Sequence, residues 1–344
     1  MKSFSIALAG SLFSVLPCHG NINIQDGATT VVLTGDILLD RGVRQVIEHR
    51  GIDRLFSPEI DALLRDAQVV VGNLECPATR VKAPVQKQFV FRAEPEWLTA
   101  LQRHGFTHLN LANNHSIDQG RGGLTDTRHN IVAAGMVPVG AGQNMAEAAQ
   151  PVLLTERPRR TWLVASNRLP LENFAYLTDQ PCVSQEPMDS LLECVNRLRR
   201  QDPKAVIIVS LHWGGEHTLK PVPRQRQEAH RLIDAGADVL VCHHTHTLQT
   251  VETYRGRQIY YSIGNFIFDQ SRPINTAAAI VRLRITPTRL DADAIPIEIR
   301  RCVPMPVKRS HDEQLQTNKK HAALSALSTP KTEAPLVSTE APLD

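Results

Sequence analysis

Several features are missing from this 344-residue chain, and each absence removes a class of function. No Cys-x-x-Cys pair occurs among the six cysteines (Cys18, Cys76, Cys182, Cys194, Cys242, Cys302), so a cysteine zinc site is not expected. Only Cys182 and Cys194 lie close enough in sequence to suggest a local disulfide, given an oxidising compartment. Charge of one sign is not in excess: 38 Lys and Arg face 35 Asp and Glu. Aromatics are 5% of the residues, and no basic cluster interleaves with them, so nucleic acid is not an expected partner. No apolar run is long enough for a mature membrane span. No internal repeat is visible.

The one uncharged stretch of note is at the start. Lys2 precedes Phe4–Leu16, which is apolar or small throughout, and Pro17-Cys18-His19-Gly20 then breaks it. This reads as a signal peptide over residues 1–20, with export to the periplasm or cell surface. Left uncleaved as a plain extension, it would belong to a cytoplasmic protein. At the other end, Ser310–Asp344 is rich in Ser, Thr, Ala, Pro and Lys, a composition that cannot bury enough surface to offset ordering. We expect a disordered tail there, and a folded domain over 29–306.

Within that domain, β-branched runs alternate with amphipathic charged stretches. The expected strands are Thr30–Thr34, Gln68–Val71, Thr107–Leu111, Val137–Val139, Thr161–Ala165, Ala205–Ser210, Val239–Val241 and Gln258–Ser262, with Thr276–Ile285 near an edge. Helical patterns cover Pro95–His104 and Arg224–Ala235. The alternation argues for a layered α/β fold.

What carries chemistry is where these strands stop. Val31–Thr34 runs into Gly35-Asp36, Val69–Val71 into Gly72-Asn73-Leu74-Glu75, and Leu109–Leu111 into Ala112-Asn113-Asn114-His115. Val206–Ser210 leads to His212-Trp213-Gly214-Gly215-Glu216, Val239–Val241 to Cys242-His243-His244-Thr245-His246, and Tyr260–Ser262 to Ile263-Gly264-Asn265. Ligands bind at the carboxyl ends of strands in open α/β sheets, so these clusters are expected to converge on one sheet edge. Taken singly, each has a plain structural reading: Gly-Asp as a turn, Asn113-Asn114 as turn chemistry, His212 and His243 as core histidines. Together they gather more buried polar groups than packing tolerates, unless a cation satisfies them. Carboxylate, amide oxygen and imidazole suit one or two divalent ions such as Mn, Fe or Zn, with Asp36 or Glu75 able to bridge a pair.

These segments, with Gly35–Arg41, Ala112–Gly120, Gly236–Gln249 and Ser262–Gln270, resemble the CapA family of poly-γ-glutamate capsule biosynthesis proteins, a branch of the calcineurin-like metallophosphoesterases. The resemblance runs from Val31 to Gln270 in the family's order. It implies a four-layer α/β sandwich with the metal site at the strand ends. Carried over position by position, it gives Asp36, Glu75, Asn114, His212, His244 and His246 as metal ligands and His115 as the catalytic imidazole. Asp118 would orient His115, and Glu216 is a second acid/base candidate. Arg41 and Arg92 fall in matching segments and are candidates for an anionic substrate. Lys82 and Lys87 read as solvated loop charges. The chain departs from the superfamily pattern where Leu38 replaces the His of Asp-x-His, and where Asn73 and Glu75 replace Gly-Asp-x-x-Asp. Both changes leave one ion or two open. Thr245 also stands where the family has Pro.

Three functions remain open on these residues. One is a metal-dependent hydrolase of an anionic peptide-like or phosphorylated substrate. The second is a metal-assisted peptide epimerase, and the third a non-catalytic subunit that binds an anionic polymer within a membrane synthesis or export complex.

Overall fold

The computed structural model describes residues 27–169 and 177–307. The expected signal peptide, residues 1–20, and the expected tail, residues 310–344, lie outside the described residues.

Two sheets form the centre. The first contains β1 (Thr29–Ile37), β2 (Val69–Leu74), β3 (His108–Asn110) and β4 (Val137–Val139), which run parallel. It continues on the other side of β1 through β14 (Ala277–Ile285), β15 (Leu290–Arg300) and β16 (Val303–Pro306), which are antiparallel, while β13 (Asn265–Ile267) pairs with the end of β1. The second sheet has the order β11 (Val251–Tyr254), β12 (Arg257–Tyr260), β10 (Val239–Val241), β9 (Val206–His212), β7 (Thr161–Asn167), β6 (Val152–Thr155). A small ribbon joins β5 (Ala141–Gly142) to β8 (Cys182–Val183).

The continuous apolar runs are explained by burial on both faces. Side chains alternate along a strand. Val31, Leu33, Val69 and Val71 therefore meet Val206, Ile208, Val239 and Val241 of the second sheet in a central core. Val32, Val70 and Leu109 point outward and pack under α1 (Arg41–Arg50), α2 (Pro58–Arg65), α3 (Trp97–Arg103) and α4 (Gly120–Ala133). Ile207, Val209 and Leu240 face the opposite way, against α6 (Met188–Gln201) and α7 (Pro223–Asp234). The order helix, sheet, sheet, helix is the expected four-layer sandwich. Among the described residues, the two remaining α-helices, α5 (Met145–Ala148) and α8 (Pro273–Thr276), are single turns, and a 3-10 turn spans Ile52–Leu55.

Local chemistry sets the element ends. Asp40 caps α1 by accepting from the Arg41 main-chain N–H at 2.8 Å, and α1 stops at Gly51, whose φ of 82° suits glycine. Pro58 and Pro223 open α2 and α7, where no intrahelical N–H is needed.

Two expectations are corrected. The Thr276–Ile285 strand is not near an edge, because β15 and β16 lie outside it. The run Leu290–Arg300 hid its strand behind alternating acids and Pro296, and β16 pairs with β15 only from Ile297 onward, so Pro296 sits beyond that cover. Cys182 and Cys194 do not form a disulfide: both are free thiols, one in β8 and one in α6.

Candidate metal centre

Asp36 lies where β1 turns from β14 to β13, and its register partners are Asn73 on β2 and Asn265 on β13. Gly35 permits this. A Cβ there would stand 2.1 Å from the Gly264 carbonyl oxygen, so only glycine lets the two backbones approach. Asp36 Oδ1 accepts from Asn73 Nδ2 at 2.8 Å, and Oδ2 lies 3.3 Å from His246 Nδ1. Glu75 follows β2, and its N–H donates to the Ile37 carbonyl at 2.9 Å. Its carboxylate is fully buried, 3.4 Å from His212 Nε2 and 3.9 Å from His246 Nδ1.

The loop after β3 brings Asn114, whose Oδ1 is 2.9 Å from His212 Nε2. The neighbouring Asn113 shapes that loop, with Oδ1 accepting from the N–H groups of His115 and Ser116. After β10, His244 Nδ1 comes within 3.2 Å of His212 Nε2, and His246 Nδ1 within 3.0 Å of Asn265 Oδ1. Both His244 and His246 have positive φ, 95° and 55°. Such backbone costs about 1–3 kcal/mol per residue and persists where the surroundings demand it. Thr245, between them, is buried, and its hydroxyl donates to the Thr247 carbonyl, which holds the loop where the family's proline would have stiffened it.

Two overlapping triads result: Glu75, His212 and His244; and Asp36, Glu75 and His246, with donor atoms within 4.8 Å of one another. Glu75 belongs to both. The oxygen donors Asp36, Glu75 and Asn114 come from the first sheet, and the nitrogen donors from the second. The clusters thus converge between two sheets rather than on the edge of one.

The donor set fits a divalent cation on its own electrostatics. Neither carboxylate oxygen of Glu75 has a hydrogen-bond partner among the described residues. Burial, then the adjacent Asp36 charge, push the Glu75 carboxyl well above the usual carboxylate range. Burial opposes Asp36 as well, but hydrogen bonding to His246 and the charges of His243 and His246 outweigh it and hold Asp36 low. Burial drives His212 well down and His244 to about 3, helped in each case by the neighbouring imidazoles. Neutral imidazoles keep lone pairs free for a metal. A cation between the triads would satisfy the bare Glu75 oxygens and remove its repulsion with Asp36.

His115 stands beside this cluster. Its Nδ1 is 2.9 Å from Asp118 Oδ2, and burial lowers its pKa against the pull of Asp118. Asp118 also accepts from the Phe91 N–H at 2.7 Å. Lys87 is not a solvated loop charge. Its side chain is only 2% exposed, it pairs with Asp118 at 2.6 Å, and it donates to the Asn114 carbonyl at 3.0 Å. A buried carboxylate requires such a counter-charge, and nothing in the local sequence of Lys87 announces it.

The other candidates sit apart from the triads. Glu216 is exposed on the loop after β9, 3.7 Å from His217, and touches the centre only through its charge, which raises Glu75 further. Arg92 is held by both oxygens of Glu94 and by the Thr79 carbonyl. Arg41 is held by Asp269 and lies over the rings of Phe91 and Phe268. Both guanidiniums are thus engaged in structural pairs. Lys82 is exposed, as expected. His243 is a core histidine, bonded to the Thr34 carbonyl at 3.2 Å. Sequence reasoning put Asn73 and Asn265 in the converging clusters but named neither as a site residue; the structure shows them positioning Asp36 and His246. Their place directly at strand ends was the available signal.

Residues 30–270 match the family described as bacterial capsule synthesis protein PGA_cap. The chain belongs to this family. Among PGA_cap relatives, the capsule biosynthesis protein CapA of Bacillus anthracis is 32% identical over 295 residues, 83% of this chain and 71% of that one. The PGA biosynthesis protein CapA of Bacillus subtilis is 30% identical over 293 residues, 84% and 76% of the two chains. A probable polyglutamine synthesis accessory protein of Mycobacterium tuberculosis is 31% identical over 288 residues, 70% and 74%. Among solved structures, the sulfate thiohydrolase SoxB of Thermus thermophilus has a TM-score of 0.45 at 13% identity, covering 88% of this chain and 61% of that one. The sandwich of this PGA_cap chain rests on its own packing, not on that neighbour.

Proposed function

We propose that this capsule synthesis protein is a metal-dependent hydrolase acting on an anionic peptide-like or phosphorylated substrate of capsule polymer metabolism. The observation that carries the reading is Glu75, a buried carboxylate with no hydrogen bond on either oxygen, shared by two triads of ligand-type side chains. Asp36, Glu75, Asn114, His212, His244 and His246 would hold the cation. When bound, a divalent ion there supplies Lewis acidity, polarising a phosphoryl or carbonyl oxygen and acidifying water.

The protein's own residues support the rest. Asp118 fixes the His115 ring through Nδ1, and His115 Nε2 has no hydrogen-bond partner among the described residues. That nitrogen is the one able to exchange a proton with a substrate, and its lowered pKa keeps it a base at neutral pH. Lys87 neutralises Asp118, so the pair orients His115 without adding net negative charge. The names of its relatives, for capsule and PGA biosynthesis, support a substrate among polymer precursors or fragments. Export by residues 1–20, to the periplasm or cell surface, belongs to the same reading.

The test is elemental analysis of purified protein beside the His244→Ala, His246→Ala double variant, followed by assays on phosphoesters and γ-glutamyl peptides. Stoichiometric Mn, Fe or Zn in the wild type that vanishes in the double variant is the expected result. A wild type that stays metal-free after incubation with Mn²⁺ or Zn²⁺ would overturn the reading.

A further inference from the structure

His104 ends α3, and its ring lies where three segments meet. The residue is 7% exposed. Nε2 is 2.9 Å from Asp53 Oδ1, in the 3-10 turn that joins α1 to α2. Nδ1 is within hydrogen-bond distance of Asp61 Oδ1, in α2. Phe56 covers one face of the ring, with centroids 3.8 Å apart and planes at 13°. The cations behind these contacts are Arg103, 3.0 Å from Asp53, and Arg65, 2.8 Å from Asp61. The ring has no other hydrogen bond or ion pair among the described residues.

Both ring nitrogens therefore face a carboxylate oxygen. An ionised carboxylate only accepts hydrogen bonds, and a neutral imidazole has one N–H to give. Only the imidazolium, with a proton on each nitrogen, can donate to Asp53 and Asp61 together. The surroundings favour the same charge. His104 sits at the carboxyl end of α3, where the helix dipole attracts a cation, and the stacked Phe56 face attracts one too. The carboxylates respond in turn. The His104 hydrogen bond is the main cause that holds Asp53 below the usual carboxylate range. Burial opposes Asp61, but hydrogen bonds from His104 and Arg65 outweigh it and hold Asp61 low as well.

The two links are unequal. The Asp61 side chain is 26% exposed and anchored by Arg65, whereas the Asp53 side chain is 64% exposed. Its other partner, Arg103, makes a solvent-exposed pair that holds it weakly. When the ring gives up one proton, the other stays on Nδ1 with Asp61. Nε2 then presents a lone pair to Asp53, and that link is lost.

We propose that His104 is a pH-sensitive latch: doubly protonated it pins the α1–α2 connection to α3, and singly protonated it lets that connection open. The direction follows from the groups involved. Asp53 and Asp61 contribute their share above the unfolded aspartate value of about 3.9, and lose it only as pH falls towards their lower folded values. The ring loses its share on the other side, as pH rises through the range where histidines deprotonate, about pH 5–8. No metal-ligand candidate takes part, so the latch does not depend on the hydrolase reading. Opening is reported by the Arg54 and Phe56 N–H groups, which donate to the Gly51 and Asp53 carbonyls at 3.3 and 3.4 Å.

The experiment is hydrogen exchange of the full chain, read by mass spectrometry at about pH 5.5 and about pH 8 and corrected for the intrinsic pH dependence of exchange. In the wild type, protection of the Arg54 and Phe56 amides falls at least about tenfold from the lower pH to the higher, as expected for one lost charge-assisted hydrogen bond. The β9 amides, deep in the second sheet, report global loosening and fall less. Asp53→Asn keeps its protection at both pH values, because its amide can donate to an unprotonated Nε2. His104→Gln cannot titrate, and its protection is the same at both. Equal protection of the wild-type turn at the two pH values overturns the latch. So does an equal fall in β9, or an Asp53→Asn variant that keeps the tenfold change, which would place the sensor elsewhere, such as at His49. Should His104→Gln fail to fold, the Asp53→Asn comparison decides alone.

Discussion

Glu75 has no contact with water, lies beside an ionised Asp36 and receives no hydrogen bond on either oxygen. The consequence for stability has a definite sign. A carboxyl whose folded-state pKa is raised binds its proton more tightly in the folded chain than in the unfolded one. Without metal, folded stability therefore falls as pH climbs from the unfolded value of about 4.3 towards the raised folded value. Asp36 acts oppositely: its lowered pKa contributes stability above the unfolded value, lost as pH falls towards the folded one. A Glu75→Gln variant keeps the shape and removes the charge. In chelator at neutral pH it is expected to melt above the wild type, and with saturating Mn²⁺ the order reverses, because only the wild type gains the cation. Thermal melts followed by circular dichroism at several pH values decide this. A chelated wild type that melts higher at every pH would show that Glu75 is satisfied by something else.

At the level of elements, β1 forks. Its first half pairs with β14 and its carboxyl end with β13, and the fork depends on Gly35 meeting Gly264 backbone to backbone. Gly35→Ala forces these strands apart beside Asp36. We expect a loss of about 3 kcal/mol, at the upper end of overpacking costs, together with weakened metal retention. Urea unfolding and elemental analysis of the variant measure both. Much of this architecture was legible in the sequence, because apolar strands ending in Asp, Asn, Glu and His announce themselves locally. The expected strand from Thr161 and the helical run from Arg224 both appear, as β7 and α7. The division of the donors between two sheets was not legible from residue patterns, since a strand looks the same in either sheet. Nor was the burial of Lys87, or the capture of Arg41 and Arg92 by Asp269 and Glu94. Such pairings are set by tertiary approach, and a charged loop reads as solvated until its partner is known. β15 was hidden for a third reason: its acids and Pro296 suit a strand with one uncovered side.

For the molecule as a whole, the candidate centre ties distant parts of the chain together. Asn114 and His212 are 98 residues apart, and Asp36 and His246 210. A ligand bound only by the folded state adds about 2.7 kcal/mol at a concentration 100 times its dissociation constant. Because oxygen donors belong to one sheet and nitrogen donors to the other, saturating Mn²⁺ should raise the whole melt as one transition, seen equally by near- and far-ultraviolet circular dichroism. Two separated transitions, with only one responding to metal, would contradict a shared centre. The division of donors would also make a bound cation a reversible rivet, comparable to a disulfide that closes a very long loop. During synthesis it cannot be set until His246 has left the ribosome and both sheets have formed. Metal uptake would then be a late event, and a chain truncated before β10 would have carboxylates facing one another with His212 alone of the three ligand imidazoles to complete the clasp.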